Sequence, residues 1–335
     1  MGAHTVTVLV INHDCEQFLP EALESVLAQK WPREDLEILV VDDGSTDGSE
    51  AAARPYLDRV TWLAKKNGGA VSAFNYGFAR ARGEFVAILE SDDTWSRDKL
   101  ARSIAQLKAN PEAVMLQHWL TLVDAAGTPL PGYSYPTGPR SADLDGLLGG
   151  VLSMTPLSGA VIRRARIAPH APFPEKFFYG YDICLRFVSA IQAPLTILPE
   201  CLGTRRIHES NLFGETIYDS PRKLEKALTF HCELADWMRD FLAKHGRVIN
   251  PEVMHETEVA RWLMELFLRR YQRRWREAFQ AWRRVLSLHG WRPYTVLFKA
   301  PTLLLALAAP RAYLALQKAY ANTPLLATRR RLLTT

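Results

Sequence analysis

Residues 36–47 read LEILVVDDGSTD and residues 85–93 read FVAILESDD. Each is a short, nearly continuous apolar run that ends abruptly in acids. A run of that length without polar alternation is the pattern of a strand buried on both faces. Residues 6–11 repeat it, and residues 60–63 give a shorter version. Between these runs the period changes. Over residues 18–29, Leu19, Ala22, Leu23, Val26 and Leu27 recur at helical spacing, with Pro20 suited to a first turn. Residues 70–82 also read as a helix. Strands alternating with helices at this spacing predict βαβ units and a mostly parallel sheet. Ligands of such sheets bind beyond the carboxyl ends of the strands, where both acidic clusters fall.

Further along, residues 100–110 predict a helix. A Gly- and Pro-rich stretch over 127–150 predicts a loop able to form a flap. Residues 154–162 predict a strand. A helix is expected to begin at Tyr181-Asp182 and to turn Ile183, Leu185, Phe187, Val188 and Ile191 inward. Residues 195–198 predict a last strand leading into Arg205-Arg206-Ile207-His208. From about residue 220 the pattern is helical, with a helical hairpin over 255–290 and no repeat of fixed period.

The 335 residues suggest two domains, with expected boundaries of 1–218 and 219–335. Hydrophobic residues make up 48% and charged residues 23%, which excludes wholesale disorder. No apolar run reaches the roughly 20 residues of a membrane span, and the opening residues carry no secretory pattern. Cys15, Cys184, Cys201 and Cys232 are scattered, which argues against a zinc site or a disulfide framework and fits a reducing cytosol. The net charge of +5 conceals a split. Residues 260–335 hold 15 Arg or Lys against Glu265 and Glu277, a charge of +13, which leaves −8 for the rest. Such a module is expected to meet something anionic.

Taken alone, the DDGSTD segment reads as either a turn or a ligand site, and Asp47 as a helix cap. The second cluster shifts the balance. Glu90, Asp92 and Asp93 crowd negative charge at a strand end, which favours a compensating cation. Carboxylates of this kind suit Mg²⁺ or Mn²⁺ bridging to phosphates.

In order and spacing, VTVLVINHD, SVLAQ, VVDDGSTDGS, NGGAVSAFNYGFARARGEFVAILESDDTW, YGYDICLRF and RRIHESN resemble the family 2 glycosyltransferases, over about residues 5–215. The resemblance implies a GT-A fold: an α/β, Rossmann-like, mostly parallel sheet flanked by helices, here with an α-helical C-terminal extension. It also implies an inverting enzyme that uses a nucleoside diphosphate sugar, with a uridine nucleotide favoured. Residue by residue, it implies that Asp43 bonds the base with Asp42 beside it. Asn67 and Gly69 would line the nucleotide pocket, with Lys65 or Lys66 either on phosphate or simply solvated. Asp92 would lie near the ribose, Asp93 and His208 on Mg²⁺ or Mn²⁺, and Arg206 on the diphosphate. His13-Asp14 stands where many relatives have Tyr-Asn, Glu90 where many have Asp, and Arg205 where Tyr is more usual. Asp182 would be the general base, with Arg186 one turn later orienting it. A carboxylate at a helix N-terminus is held as the anion, ready to accept a proton.

A sugar-phosphate nucleotidyltransferase is the rival enzyme reading, but it gives Asp182 and RRIHESN no purpose, and no glycine-rich pyrophosphorylase loop is present. An inactive scaffold of a membrane assembly is the non-enzyme reading. The expected acceptor is a saccharide, a lipid-linked glycan or a peptide, in glycan or polysaccharide synthesis. In the last third, residues from Val259 to Leu286 keep a helical period with arginines opposite. That pattern fits a packed hairpin, a homodimer contact or peripheral attachment to an anionic membrane on its cytoplasmic face, the last aided by the interrupted apolar stretch 296–316. Nucleic acid is not expected, because nothing resembles a recognition module.

Overall fold

The computed structural model describes residues 5–130, 141–144, 147, 156–178, 180–208, 221–247 and 251–289, with residues 306, 308 and 312. Most of the expected flap, Tyr179, Glu209 to Asn211 and most of the apolar stretch 296–316 lie outside the described residues. The chain divides into two compact units, residues 1–209 and 210–335.

In the first unit the apolar runs become strands, as their lack of polar alternation requires. They are β1 (Val6–Asn12), β2 (Leu36–Asp43), β3 (Thr61–Lys65) and β4 (Phe85–Glu90). Helix α1 (Leu19–Leu27), with Pro at its start, follows β1. The short α2 (Ser49–Ala53) follows β2, and α3 (Ala70–Phe78) follows β3. Strand β1 lies between β2 and β4, parallel to both, and β3 extends the row parallel to β2. The register sets Asn12 beside Asp42 and Ile11 beside Glu90. Both acidic ends therefore share one edge of the sheet, where the strand order reverses about β1.

After the two-residue β5 (Thr94–Trp95) and helix α4 (Lys99–Ala109) comes β6 (Met115–Val123). The sheet then turns mixed. Strand β7 (Ser141–Ala142) pairs antiparallel with β9 (Leu195–Arg206), and β8 (Ala160–Arg163) lies antiparallel between β4 and β6. Strand β9 runs parallel to β6 and antiparallel to β5. The order is β3-β2-β1-β4-β8-β6-β9-β5, nine strands among the described residues when β7 is included. The short α5 (Arg164–Ile167) and α6 (Tyr181–Gln192) precede β9.

Three expectations shift. The strand expected over 154–162 is confined to Ala160–Arg163, preceded by a tight turn at Leu157–Gly159. The last strand extends eight residues beyond 198, so Arg205 and Arg206 lie on strand rather than loop. Helix α6 buries Cys184, Leu185, Phe187 and Val188, while Ile183 and Ile191 stay partly exposed.

The second unit contains α7 (Pro221–Lys244), α8 (Pro251–Tyr271) and α9 (Trp275–His289). The last two form the expected hairpin, turning where Arg273 takes a left-handed φ of 57°. Leu224, Met264, Leu266, Phe267, Ala278 and Ala281 form a core in this unit. Among the described residues no helix is long and apolar enough to cross a membrane.

Helix α3 is seated on the sheet through Gly77. A Cβ there would stand 2.3 Å from Leu9 Cδ1 and 2.8 Å from Val41 Cγ2, both in the fully buried centre of β1 and β2. Gly77→Ala is expected to cost about 1–3 kcal/mol by overpacking, read as a lower urea midpoint. An unchanged midpoint would show that the contact is soft.

Candidate active site

Two groups of side chains gather at the carboxyl edge of the sheet. The first is built on the turn after β2. The Asp42 carboxylate accepts from Asn12 Nδ2 at 2.8 Å and from Ser45 Oγ, so its charge closes the DDGS turn against β1. Asp43, 2% exposed, accepts from Lys65 Nζ at 2.5 Å and from the backbone N–H groups of Gly68 and Gly69 at 3.0 and 2.7 Å. It thereby shapes the loop that enters α3. Gly69 has φ 86°, and a Cβ there would stand 2.5 Å from the Phe178 carbonyl oxygen, so only glycine suits the position. Asn67 Nδ2 lies 3.1 Å from His13 Nε2. The resemblance implies a base contact for Asp43; its carboxylate here accepts from three donors within the protein, and His13, with its side chain 44% exposed, lies on the outer side of this group.

The second group is built on the turn after β4. Glu90, Asp92 and Asp93 each offer a carboxylate oxygen, and these lie within 4.8 Å of one another. The two neighbouring aspartates face opposite ways. Asp93, 1% exposed, accepts from Ser158 Oγ at 2.5 Å and from the Arg206 backbone N–H at 2.8 Å. Asp92 Oδ2 instead lies 3.1 Å from His208 Nε2, and the His208 ring packs on Phe18 with centroids 4.8 Å apart. Asp92 thus stands beside the histidine, both oxygens of Asp93 accept hydrogen bonds within the protein, and all three acids stay close enough together to share a cation.

Arg206, for which the resemblance implies a diphosphate contact, is bonded within the protein here. Its guanidinium, 3% exposed, donates to the Asp92 carbonyl oxygen at 3.1 Å, to the Ala125 carbonyl oxygen at 2.9 Å and to Glu21, and stands over the Phe18 ring. It braces the acidic turn against α1 and the end of β6.

Asp182 sits in the first turn of α6, after Gly180 in the left-handed region. Its Oδ2 accepts from Arg186 Nη1 at 2.7 Å while the side chain stays 38% exposed. The neighbouring Tyr181 hydroxyl donates to Glu90 Oε1 at 3.3 Å and links α6 to the acidic turn.

Electrostatics reflect the crowding. Desolvation and the Asp92 charge push Glu90 up to about 7, with Arg205 opposing, Asp182 adding to the rise and the Tyr181 hydrogen bond opposing it. Burial, then Asp92 and Glu90, hold Asp93 well above the usual carboxylate range. Burial and the Asp92 charge raise Cys15 to about 11, so it stays a thiol and offers no nucleophile. Glu90, Asp92 and Asp93, with the His208 imidazole beside Asp92, form an oxygen-rich donor set suited to a divalent cation. The residues present fit that role.

Ser158 escaped the sequence reading. Besides bonding Asp93, its Oγ accepts the Glu90 backbone N–H at 3.1 Å, and its carbonyl accepts Trp95 Nε1 at 2.6 Å. A serine in an apolar-to-loop transition carries no motif that would have singled it out. Ser158→Ala strands a buried carboxylate and a backbone N–H together. It is expected to lower stability by about 1–3 kcal/mol, read in a urea melt; an unchanged midpoint would show that Asp93 does not depend on it.

Comparison with known proteins gives the following. Residues 7–154 match the model described as Glycosyl transferase family 2. An uncharacterized glycosyltransferase of Nostoc sp. is 32% identical over 214 residues, 62% of this chain and 66% of the relative. Across the first three curated relatives, the matched segments span 24% to 66% of the relative's length. A structure of residues 1–349 of S. aureus TarS in complex with UDP-GlcNAc aligns at TM-score 0.61 and 18% identity, covering 92% of this chain and 87% of that one. The mannosyltransferase PcManGT of Pyrobaculum calidifontis, in complex with GDP-Man and Mn²⁺, aligns at TM-score 0.55 and 19% identity, covering 95% and 88%. Both share the GT-A fold with this chain.

Proposed function

Because the chain belongs to glycosyl transferase family 2, we propose that it moves a sugar from a nucleoside diphosphate sugar to an acceptor with inversion at the anomeric carbon. The observation that carries this reading is the convergence of Glu90, Asp92 and His208 with Asp182 at the carboxyl edge of a parallel sheet. A binding protein needs no partly exposed carboxylate, fixed by an arginine, beside such a cluster.

The nucleotide occupies the side of the site formed by His13, Asn67 and the Gly68-Gly69 turn, with Asp42 and Asp43 as its internal braces. His13 offers a ring face to the base, and Lys66 a charge toward phosphate. Nucleoside diphosphate sugars are the ligands in both structural neighbours, and a uridine nucleotide is the favoured donor here. Asp92 and His208, with Glu90 beside them, would hold Mg²⁺ or Mn²⁺, which neutralises charge on a leaving diphosphate. Arg206 keeps Asp92 in place by gripping its carbonyl.

Asp182 does the proton chemistry. Its place at the start of α6 and its bond from Arg186 fix its orientation. It accepts the proton of the acceptor's hydroxyl as that oxygen attacks the anomeric carbon. The bond from that carbon to the diphosphate oxygen breaks on the opposite face, and the nucleoside diphosphate leaves with the electron pair. The acceptor is a saccharide, a lipid-linked glycan or a peptide.

Incubation with labelled UDP-sugars and Mn²⁺ is expected to release UDP. Asp182→Asn should lower kcat by about 10²–10⁴-fold while donor KM stays nearly unchanged, because only the proton acceptor is lost. Near wild-type turnover by that variant would remove Asp182 from the base role. Formation of pyrophosphate from a nucleoside triphosphate would overturn the transferase reading altogether.

A further inference from the structure

The helical unit carries a surface with no part in the chemistry above. Trp275 and Phe279 fall on the helical period of residues 259–286, which by itself fits a packed hairpin, a homodimer contact or a membrane-facing surface. In the structure they are the two most exposed large apolar side chains among the described residues, at 51% and 47%. Both lie on α9, four residues apart and so on one face. Arg276 and Arg283 share that exposed half, while Ala278, Ala281 and Val285 line the buried half. Just before the helix, at the turn from α8, Arg273 and Arg274 are exposed, and the Arg270 guanidinium stands 3.9 Å above the Trp275 ring.

The charge on this surface is poorly compensated. Glu265 pairs with Arg269, and Glu277 with Arg274 and Arg269. Among the described residues no acid pairs with Arg273, Arg276, Arg283 or Arg284. We infer that the α8–α9 turn and the outward face of α9 dock on an anionic lipid surface. Exposed indole and phenyl rings interleaved with guanidinium groups match the headgroup boundary. There the rings enter the acyl edge and the arginines meet lipid phosphates. Charge complementarity selects this occupant over a second copy of the chain, since an isologous contact through this face would set like charges against one another. Nucleic acid offers phosphates as well, but gives two aromatic rings set on a rigid helix no apolar layer to enter.

The test is co-sedimentation of the full chain with vesicles of phosphatidylcholine and phosphatidylglycerol, with phosphatidylcholine alone as the comparison. Binding is expected only to the anionic vesicles, weaker at high salt. Trp275→Ser with Phe279→Ser should reduce it at least about tenfold, and Arg276→Glu with Arg283→Glu by a similar factor. Both rings and both arginines are exposed, so a thermal melt should show the variants folded. Three results would overturn the inference: equal binding by the variants, no binding by the folded wild type, or a dimer in sedimentation that the variants dissolve. Binding of single-stranded RNA in preference to vesicles would assign the surface to nucleic acid instead. UDP release in solution does not depend on this face, so failure here leaves the transferase reading untouched.

Discussion

The carboxylate of Asp93 joins three segments that are remote in sequence. It lies in the turn after β4, accepts from Ser158 in the turn before β8, and accepts from the Arg206 backbone N–H at the end of β9. Each of the two donors offsets part of the cost of burying this carboxyl group, so losing either one weakens the node. This node therefore fixes where β9 ends, and with it the position of His208 two residues later. It also decides which of two adjacent aspartates faces outward. Asp93 points into the protein, and Asp92 turns to His208. Arg206 adds a second tie through the Asp92 carbonyl, with Glu21 and the Phe18 ring holding its other sides.

Around that node, each element has a definite part in assembling the site. The parallel triplet β2-β1-β4 brings the two acidic turns to one edge. Close seating of α3 against β1 and β2 through Gly77 sets the level of the Asn67-Gly68-Gly69 loop, which Asp43 then draws in by its backbone amides. Helix α6 enters from the other side, bonds Glu90 through Tyr181 and presents Asp182 with Arg186 behind it. Asp42, Asp43, Asp93 and Arg206 are held by partners within the protein, and Asp92, His208 and Asp182 are the groups proposed to face the reaction.

Much of this was legible before any coordinates. The runs that became β1, β2 and β4 are mostly apolar and short, bounded by acids and turn residues, which favours strands buried on both faces; β3 (Thr61–Lys65) is shorter and only partly buried. Strand β6 was missed because Gln117, His118 and Thr121 interrupt MLQHWLTLV. The continuation of β9 was missed because Pro199, Glu200 and Cys201 look like its end. The acidic clusters, Asp182 and His208 were visible as residue types at strand and helix ends. The orientation of Asp92 against Asp93 was not, since adjacent carboxylates are alike in sequence and only their donors, Ser158 and the Arg206 amide, tell them apart. In the last third, helical spacing exposed the hairpin but could not distinguish aromatic residues turned inward, such as Phe267, from those turned outward, such as Trp275 and Phe279.

The claim that Asp92 and His208, rather than Asp93, form the cation-binding edge is tested most directly by anomalous diffraction from crystals grown with Mn²⁺ and UDP. The account requires a manganese peak in contact with Asp92 and His208, with Asp93 still bonded to Ser158 and to the Arg206 amide. A peak liganded by Asp93 with Ser158 displaced, or UDP bound in the presence of Mn²⁺ with no manganese beside His208, would contradict it.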